Sequence, residues 1–299
     1  MKFVHINSSH GRNFAAGCVL LVGALFSMSA VAVDRFTSTY GNGTSCSSTF
    51  NIEGREPSTT GTFPVFIYTV GTGESYTSPI ATAAIEGMAN RGYVAASVQY
   101  PNSTFGSCST IGNRARCIYN PSSTNSAVAK ICARAKADCS KGIVVAGLSQ
   151  GSVIAVLAKN TEPRVRAAYA TGTWPKYSFY DLSSCMNNGN HAIQSSQLRI
   201  VNGDNDQFDG GSLSAARTNT VAVSGFSCGS TAFSCLQSNG SGWYLVQGSE
   251  VQDGNADHCY MLNGDGCKAG TPLDTGWQNG SSAWELNANL DWLTTQTSH

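Results

Sequence analysis

Short apolar runs alternate with longer helical segments along most of this chain. The runs are rich in β-branched and aromatic side chains, which favours buried strands. The predicted strands are residues 63–69, 92–100, 143–146, 165–171, 198–202 and 243–246. The predicted helices are residues 80–89, 125–137, 152–159 and 283–293. Strands that alternate with helices indicate an α/β fold with a mostly parallel central sheet flanked by helices.

A Gly-Leu-Ser-Gln-Gly motif at residues 147–151 follows the predicted strand at 143–146 and precedes the predicted helix at 152–159. A Gly-x-Ser-x-Gly in this setting is typical of a nucleophile elbow, a strained turn that lifts the serine hydroxyl away from the backbone. The glycines leave room for the tight strand-to-helix crossing. The alternative is a glycine-rich turn whose serine only caps the helix. The flanking strand and helix favour the elbow, so Ser149 is the candidate nucleophile.

From about Phe63 to the C-terminus the chain resembles the α/β-hydrolase superfamily, in which the elbow serine is followed along the chain by an acid and then a histidine. A Gly-Asp-Asn-Asp turn at residues 203–206 follows the predicted strand at 198–202 and resembles the family's acid turn. The resemblance implies that a carboxylate orients the imidazole that takes the serine proton. Asp206 is the predicted acid. The alternatives are Asp204, the main rival, and Asp209 and Asp181.

The predicted base is His258, in a loop after the strand predicted at 243–246. Two other histidines follow residue 32. His191 lies in a polar, Asn-rich loop and is expected to be a solvated surface residue. His299 ends the chain, where fraying is common. The alternative for His258 is a structural loop histidine beside a disulfide at Cys259, although such a disulfide would also hold a base in position.

The resemblance also implies two backbone N–H donors for the negative charge that develops on the substrate oxygen. Gln150 follows the nucleophile and supplies one donor. The second comes from the loop after the strand predicted at 63–69, which makes Thr72 the candidate. The family commonly has His-Gly in this loop, whereas this chain has Val70 and Gly71. Because the donor is a backbone group, the missing histidine does not remove the oxyanion hole.

An aromatic cluster follows the strand predicted at 165–171. Its members are Trp174, Tyr177, Phe179 and Tyr180. They lie on the catalytic side of the predicted sheet and are candidates for lining an acyl or aromatic pocket, with Trp174 and Tyr177 as the named substrate-pocket residues. The alternative is simple packing under a loop.

The amino terminus predicts export. Two basic residues, Lys2 and Arg12, precede an apolar run at residues 14–28, which is too short to span a bilayer comfortably. An Ala-Val-Ala sequence at residues 30–32 offers a cleavage site. Residues 1–32 are therefore predicted to be a signal peptide. Residues 33–299 are predicted to be a single secreted domain, extracellular or periplasmic. A retained signal anchor is the alternative.

Ten of the eleven cysteines follow residue 32, and an even number in an exported chain predicts disulfides. Spacing does not determine connectivity, but short spacing favours some pairs. The expected pairs are Cys108–Cys117, Cys132–Cys139, Cys228–Cys235, Cys259–Cys267 and, from the remaining two, Cys46–Cys185. Without a CxxC pair or several histidines, a zinc cluster is not expected. Triad chemistry needs neither a metal nor an organic cofactor.

Composition narrows the function further. Charged residues make up 12% of the chain and the formal net charge is zero, so no basic surface for nucleic acid is predicted. Abundant Gly, Ser, Thr and Asn are typical of a secreted, loop-rich enzyme. The prediction is a monomeric serine hydrolase that cleaves carboxylic esters through an acyl-enzyme, without stable membrane insertion.

The sequence determines the substrate less well. The Gly-x-Ser-Gln-Gly elbow resembles that of secreted, disulfide-bonded cutinases, which implies polyester or plant-polymer esters. However, the chain is longer than a minimal cutinase and its acid turn lacks their Asp-x-x-Cys arrangement. Small soluble esters are a further option. A serine peptidase on the same fold and a non-catalytic binding protein on a hydrolase scaffold are the alternatives to an esterase. Asn102 begins one of the four glycosylation sequons that follow residue 32.

Overall fold

A nine-stranded sheet runs through the part of the chain that the structure describes. The computed structural model describes residues 32–43, 46–177 and 179–298. The strands of the sheet are β1 (Val33–Gly43), β2 (Cys46–Pro57), β3 (Val65–Thr69), β4 (Val94–Val98), β5 (Ile143–Leu148), β6 (Val165–Thr171), β9 (Leu198–Gly203), β10 (Ser234–Leu236) and β11 (Gly242–Val246). A separate two-stranded ribbon consists of β7 (Lys176–Tyr177) and β8 (Tyr180–Asp181). Two predicted features fall outside these ranges: the signal segment, apart from its last residue, and His299.

Six neighbouring strands are parallel, which confirms the predicted α/β class. The order across the sheet is β1-β2-β4-β3-β5-β6-β9-β11-β10. The strands from β4 to β11 in that order run parallel. Towards the two edges of the sheet, β1, β2 and β10 pair antiparallel with their neighbours. Every residue of β3, β4, β5 and β9 is buried, as expected for parallel strands covered on both faces.

Helices flank the sheet. They are α1 (Pro79–Ala89), α2 (Cys108–Tyr119), α3 (Ala127–Cys132), α4 (Gln150–Leu157), α5 (Ser183–Met186), α6 (Leu213–Ser224), α7 (Thr275–Asn279) and α8 (Leu286–Thr294). Helix α1 packs against β3, β4 and α8, whereas α4 packs against β5, β6 and α2. Four N-cap serines accept a hydrogen bond from the amide three residues on: Ser78, Ser107, Ser126 and Ser212. Among the described residues, no helix has the length and apolarity that a membrane crossing requires.

Several elements differ from the sequence prediction. The β1–β2 hairpin, α2 and α6 were not predicted, because their Ser-, Thr- and Arg-rich sequences hide the few positions that are buried. The helix predicted at residues 125–137 is the shorter α3. Ser126 caps its start, and the disulfide between Cys132 and Cys139 folds the following residues into a turn. The elements that were predicted correctly are the apolar ones.

All ten cysteines in the described ranges form disulfides. The pairs are Cys46–Cys117, Cys108–Cys185, Cys132–Cys139, Cys228–Cys235 and Cys259–Cys267. The expected Cys108–Cys117 and Cys46–Cys185 pairs are therefore wrong. The reason is helix geometry: both Cys108 and Cys117 lie in α2, where nine residues separate them by roughly 13 Å along the axis. A disulfide requires Cα atoms within about 7 Å.

The strand order reverses between β3 and β5. From β3 the chain passes to β4 on one side, and it then returns to β5 on the other side of β3. At such a reversal the connecting segments leave the sheet in opposite directions, so a crevice opens at the carboxyl ends of the strands. The loop at residues 70–74 follows β3 and Ser149 follows β5. Both candidate catalytic segments therefore lie at the crevice.

Candidate active site

Ser149 occupies a strained turn between β5 and α4. Its backbone is left-handed, with φ 55° and ψ −123°, a conformation that costs about 1–3 kcal/mol for a residue other than glycine. The turn is also tightly packed. A Cβ on Gly151 would lie 2.1 Å from the Thr69 carbonyl oxygen, and one on Gly147 would lie 2.5 Å from the Gly151 carbonyl oxygen. The two glycines of the motif are thus required for β3, β5 and α4 to approach one another.

The Ser149 side chain does not cap its helix. Ser149 is the N-cap residue of α4, yet its hydroxyl makes no capping hydrogen bond. Its backbone N–H donates to the Thr171 carbonyl oxygen at 2.9 Å, which fixes the turn against β6. The side chain is half-buried and lines a cavity. The capping interpretation of the motif therefore does not describe this serine.

Asp206 and His258 form a buried pair. His258 Nδ1 lies 2.5 Å from Asp206 Oδ2, and both side chains are almost fully buried. Two further donors hold the carboxylate: Trp174 Nε1 donates to Oδ2 at 2.7 Å, and the Phe208 amide donates to Oδ1 at 2.8 Å. With both oxygens held, the carboxylate has a single orientation. It fixes the imidazole with Nδ1 as the hydrogen-bonded nitrogen.

The other candidate acids lie elsewhere. Asp204 is half-buried, and burial raises its pKa. Asp181 is exposed on β8, where a hydrogen bond from Ser183 lowers its pKa. Asp209 is close enough to Asp206 to feel its charge. Burial, followed by the charge of Asp206, raises the pKa of Asp209 to about 7. Of the four carboxylates, only Asp206 contacts the imidazole of His258 in the structure.

His191 is buried, so the prediction of a solvated surface residue is wrong. Its ring is 8% exposed and Nδ1 lies 2.9 Å from the Ile193 carbonyl oxygen. Burial lowers the pKa of this histidine. The loop looks polar in sequence because Asn188 and Asn190 are exposed, but the histidine that follows them is buried.

His258 lines the same cavity as Ser149. His258 Nε2 is buried and has no hydrogen-bond partner among the described residues. The ring is confined on two sides. Phe208 packs edge-on with a centroid separation of 4.6 Å, and a Cβ on Gly172 would lie 2.7 Å from His258 Cε1. Buried ring nitrogens are normally paired, and His258 Nε2 is an exception that His191 Nε2 shares.

The loop that carries His258 is closed by a disulfide and by one carboxylate. Cys259, the next residue, is bonded to Cys267. Asp257 accepts hydrogen bonds from the Cys259 and Gly266 amides, each at 2.7 Å, and so bridges the two ends of this loop. These contacts restrain the backbone on the C-terminal side of the histidine.

In the loop after β3, the backbone amides on both sides of Thr72 are hydrogen-bonded. The Gly71 amide donates to Glu74 Oε2 at 2.7 Å, and the Gly73 amide donates to the Asn102 carbonyl oxygen at 2.9 Å. Asn102 Nδ2 donates to the Gly71 and Glu74 carbonyl oxygens at 2.6 and 2.8 Å. Among the described residues, no acceptor pairs with the Thr72 amide. Because Asn102 Nδ2 is committed here, a glycan on this sequon would disrupt the loop.

A network of side-chain hydrogen bonds joins the two candidate oxyanion residues. Gln150 Nε2 donates to Thr72 Oγ1 at 2.8 Å and to the Thr104 carbonyl oxygen at 2.9 Å. Arg114 donates to Gln150 Oε1, which fixes the orientation of the amide. Gln150 is fully buried. The sequence predicted only backbone roles for Gln150 and Thr72, and no sequence signal pointed to Arg114, which lies in the unpredicted helix α2.

A cavity of about 790 Å³ is lined by Ser149 and His258. Three segments form its walls: residues 71–80, an aromatic group, and residues 267–271 of the disulfide loop. The aromatic group consists of Phe105, Tyr177, Phe179, Tyr180 and Phe208. Tyr177 is thus at the predicted place. Trp174 is not: it is fully buried behind the cavity and serves as a hydrogen-bond donor to Asp206. The hydrogen bond from its indole N–H to Asp206 holds it there, and the spacing of aromatic residues in the sequence gives no sign of this bond.

Within the described ranges, no three His, Cys, Asp or Glu side chains converge in a group that could hold a metal ion. No protein-family model and no curated protein matches the chain.

Solved structures give weak similarities. Esterase Est22 aligns at 16% identity and a TM-score of 0.40, over 59% of this chain and 64% of its own. A hypothetical protein from Pseudomonas aeruginosa aligns at 19% identity and a TM-score of 0.38, over 57% of this chain and 51% of its own. The chain thus spans between half and two thirds of these two proteins. At such scores the alignments do not establish a shared fold.

Proposed function

We propose that this protein is a secreted serine hydrolase with an α/β-hydrolase fold, and that it cleaves carboxylic esters. The support lies in the site itself. A strained serine follows a buried parallel strand, and an aspartate and a histidine follow later in the chain, in the order the superfamily uses. The three residues follow the parallel strands β5, β9 and β11 along the chain, and the carboxyl ends of parallel strands are where such sites are found.

The proposed reaction uses an acyl-enzyme. Ser149 Oγ attacks the ester carbonyl carbon while His258 Nε2 takes the hydroxyl proton, and Asp206 holds the imidazolium that forms. The amides of Gln150 and Thr72 donate to the oxyanion of the tetrahedral intermediate. Collapse of the intermediate expels the alcohol, which receives the proton from His258. Water then attacks the acyl-enzyme by the same steps, and the carboxylic acid leaves with Ser149 restored.

One observation carries this proposal: the hydrogen bonding of Ser149 and His258, two side chains that line the cavity. Asp206 holds Nδ1 of His258, while Nε2 remains buried and unpaired in the described structure. Ser149 leaves its own helix uncapped. His191 Nε2 is also buried and unpaired in the described structure, so what distinguishes His258 is the carboxylate on its Nδ1 and its place beside Ser149 in the cavity lining.

We further propose that residues 1–32 are a signal peptide and that residues 33–299 act as one monomeric domain in an oxidising compartment. The five disulfides support export, because such bonds persist in extracellular and periplasmic proteins.

The function is tested by offering the purified protein soluble esters and a matched amide. Methyl and p-nitrophenyl esters should be hydrolysed, whereas p-nitroanilides and a casein substrate should be hydrolysed far more slowly. Equal or faster amide cleavage would identify a peptidase. A folded protein that binds esters without turnover would identify a binding protein and contradict the proposal. Polyester film and feruloylated polysaccharide, added as further substrates, test the polymer option.

A further inference from the structure

The cavity mouth gathers the exposed large apolar side chains of the described structure. Three such side chains are exposed, Phe179, Tyr180 and Phe208, and all three line the cavity that contains Ser149. Phe179 is 92% exposed. Scattered exposed apolar residues need no explanation, but a contiguous group around a concave site marks a place where something apolar binds.

The aromatic side of this cavity has a defined geometry. Phe105 lies at its centre, with ring centroids 4.5 Å from Tyr177 and 5.3 Å from Tyr180 and tilts of 47° and 45°. Tilted rings at 4.5–7 Å are a favourable arrangement, because the positive edge of one ring meets the negative face of another. We call these three residues the aromatic wall. A fourth ring can join the wall with the same geometry, which an alkyl chain cannot do.

The wall is fixed relative to the acid–base pair. Tyr177 Oη donates to the Gly172 carbonyl oxygen at 2.8 Å and accepts from the Trp174 amide at 3.4 Å. Trp174 in turn donates its indole N–H to Asp206. A wall held by hydrogen bonds and packing loses little entropy when a ligand binds, so its contacts translate into affinity.

A disulfide joins the two chain segments that supply the wall. Phe105 precedes α2, which begins at Cys108, and Tyr180 precedes Cys185 on the segment after the ribbon. Cys108 is bonded to Cys185. The Leu182 amide also donates to the Pro175 carbonyl oxygen at 2.7 Å, which closes the ribbon at its base. The disulfide and this hydrogen bond thereby restrain the segments that carry Phe105 and Tyr180.

From these contacts we propose that the preferred substrate of this site is an ester carrying an aromatic ring, which packs against the aromatic wall. Phe105 and Tyr180 are the specificity-determining residues. The inference rests on the proposed esterase function and adds the class of substrate.

The test compares phenyl esters with their cyclohexyl counterparts. Methyl 3-phenylpropanoate and methyl 3-cyclohexylpropanoate place the ring in the acid, whereas benzyl acetate and cyclohexylmethyl acetate place it in the alcohol. Acid release at constant pH gives kcat/KM, which is corrected for the alkaline hydrolysis rate of each ester. We expect the phenyl member of at least one pair to be favoured about three- to tenfold. Cyclohexyl is the more hydrophobic group, so burial alone predicts the reverse order.

Variants connect that preference to the wall. Phe105→Leu and Tyr180→Leu should each reduce the preference, measured as the ratio of kcat/KM for the two members of a pair, to about twofold or less. Tyr180 is partly exposed, so its variant folds even if Phe105→Leu does not. Phe233→Leu is the matched control, because Phe233 lies outside the cavity lining, and it should keep the wild-type preference.

Two results overturn the inference. If the wild type hydrolyses methyl acetate but favours neither phenyl ester, the aromatic preference is wrong and the esterase proposal stands. If the preference exists but survives in both wall variants, another part of the cavity selects the ring. Absence of all ester hydrolysis would instead remove the proposed function, and this inference with it.

Discussion

Helices α3 and α4 both have a serine as the N-cap residue, but only one of the two serines caps its helix with a hydrogen bond. Ser126 has extended backbone, φ −77° and ψ 158°, and its hydroxyl accepts a hydrogen bond from the Ala129 amide at 3.2 Å. Ser149 has φ 55° and ψ −123° and makes no capping bond. The first arrangement stabilises a helix. The second gives up that stabilisation and keeps the hydroxyl for another partner, as strained residues at functional sites do.

The largest expected effect breaks this comparison directly. Ser149→Ala should lower kcat for esters by about 10⁶-fold and leave the free energy of unfolding nearly unchanged, because no capping bond is lost. Ser126→Ala should do the reverse, lowering the free energy of unfolding by about 1 kcal/mol with kcat unchanged. Steady-state kinetics and urea unfolding of both variants measure this. Ester turnover that survives in Ser149→Ala would refute the comparison.

The second-largest expected effect concerns Asp206, which orients the histidine that Ser149 requires as its base. Asp206→Asn should reduce kcat near neutral pH by about 10⁴-fold, because an amide no longer holds the imidazole in the required tautomer. Asp204→Asn is the control and should remain within about tenfold of wild type, since asparagine tolerates the same turn geometry. If Asp204→Asn is the impaired variant, the acid has been misassigned and the Asp206–His258 contact has a structural role.

A smaller effect tests the network that joins the elbow to the loop after β3. Gln150→Met keeps the side-chain length but removes the donors to Thr72 and Thr104. Removal of an entire oxyanion donor costs about 10²–10³-fold in kcat, so a displaced donor should cost about tenfold, with KM little changed.

Thr72 variants show whether that loss passes through this loop. Thr72→Val should reproduce part of the loss, Thr72→Ser should restore wild-type kcat, and the Gln150→Met, Thr72→Val double variant should lose less than the product of the two effects. Independent effects of the two single variants would show that the Gln150 side chain does not position Thr72.

The smallest effect is on stability and follows from Asp209. Its pKa in the folded protein is raised to about 7 by burial and by Asp206, above its value in the unfolded chain. The folded state therefore binds the extra proton between about pH 4 and 7, and its stability falls as pH rises through that range. Asp209→Asn should raise the free energy of unfolding by about 1 kcal/mol at pH 8, after allowance for solvent screening, and leave it unchanged near pH 3. An equal effect at both pH values would exclude titration as the cause.

The sequence predicted those parts of the molecule that depend on neighbours in the chain. The parallel strands are continuous apolar runs in the sequence. The elbow at Ser149 is a single motif with a strand before it and a helix after it. The acid turn at residues 203–206 and His258 follow predicted strands, so family order made them candidates, with Asp204 as the rival of Asp206. Three of the five disulfides, each between cysteines seven or eight residues apart, were also predicted correctly.

The remainder depends on contacts between distant residues. The disulfides from Cys46 and Cys108 span 71 and 77 residues, and no local pattern distinguishes such partners. The role of Trp174 became apparent only once β6 and β9 were adjacent, because its indole N–H then reaches Asp206. Arg114 joins Gln150 across 36 residues and lies in a helix whose polar sequence concealed it. These are tertiary features, and a single sequence does not contain a signal for them.

The most direct test of the central claim, that Ser149 is the nucleophile, is covalent labelling with a fluorophosphonate. The reagent phosphonylates a serine hydroxyl only where a base activates it. Mass spectrometry of the digested wild type should place the adduct on Ser149, with ester hydrolysis lost in proportion to labelling and no adduct in Ser149→Ala. A wild type that hydrolyses esters while Ser149 stays unlabelled, or an adduct on another serine, would contradict the account.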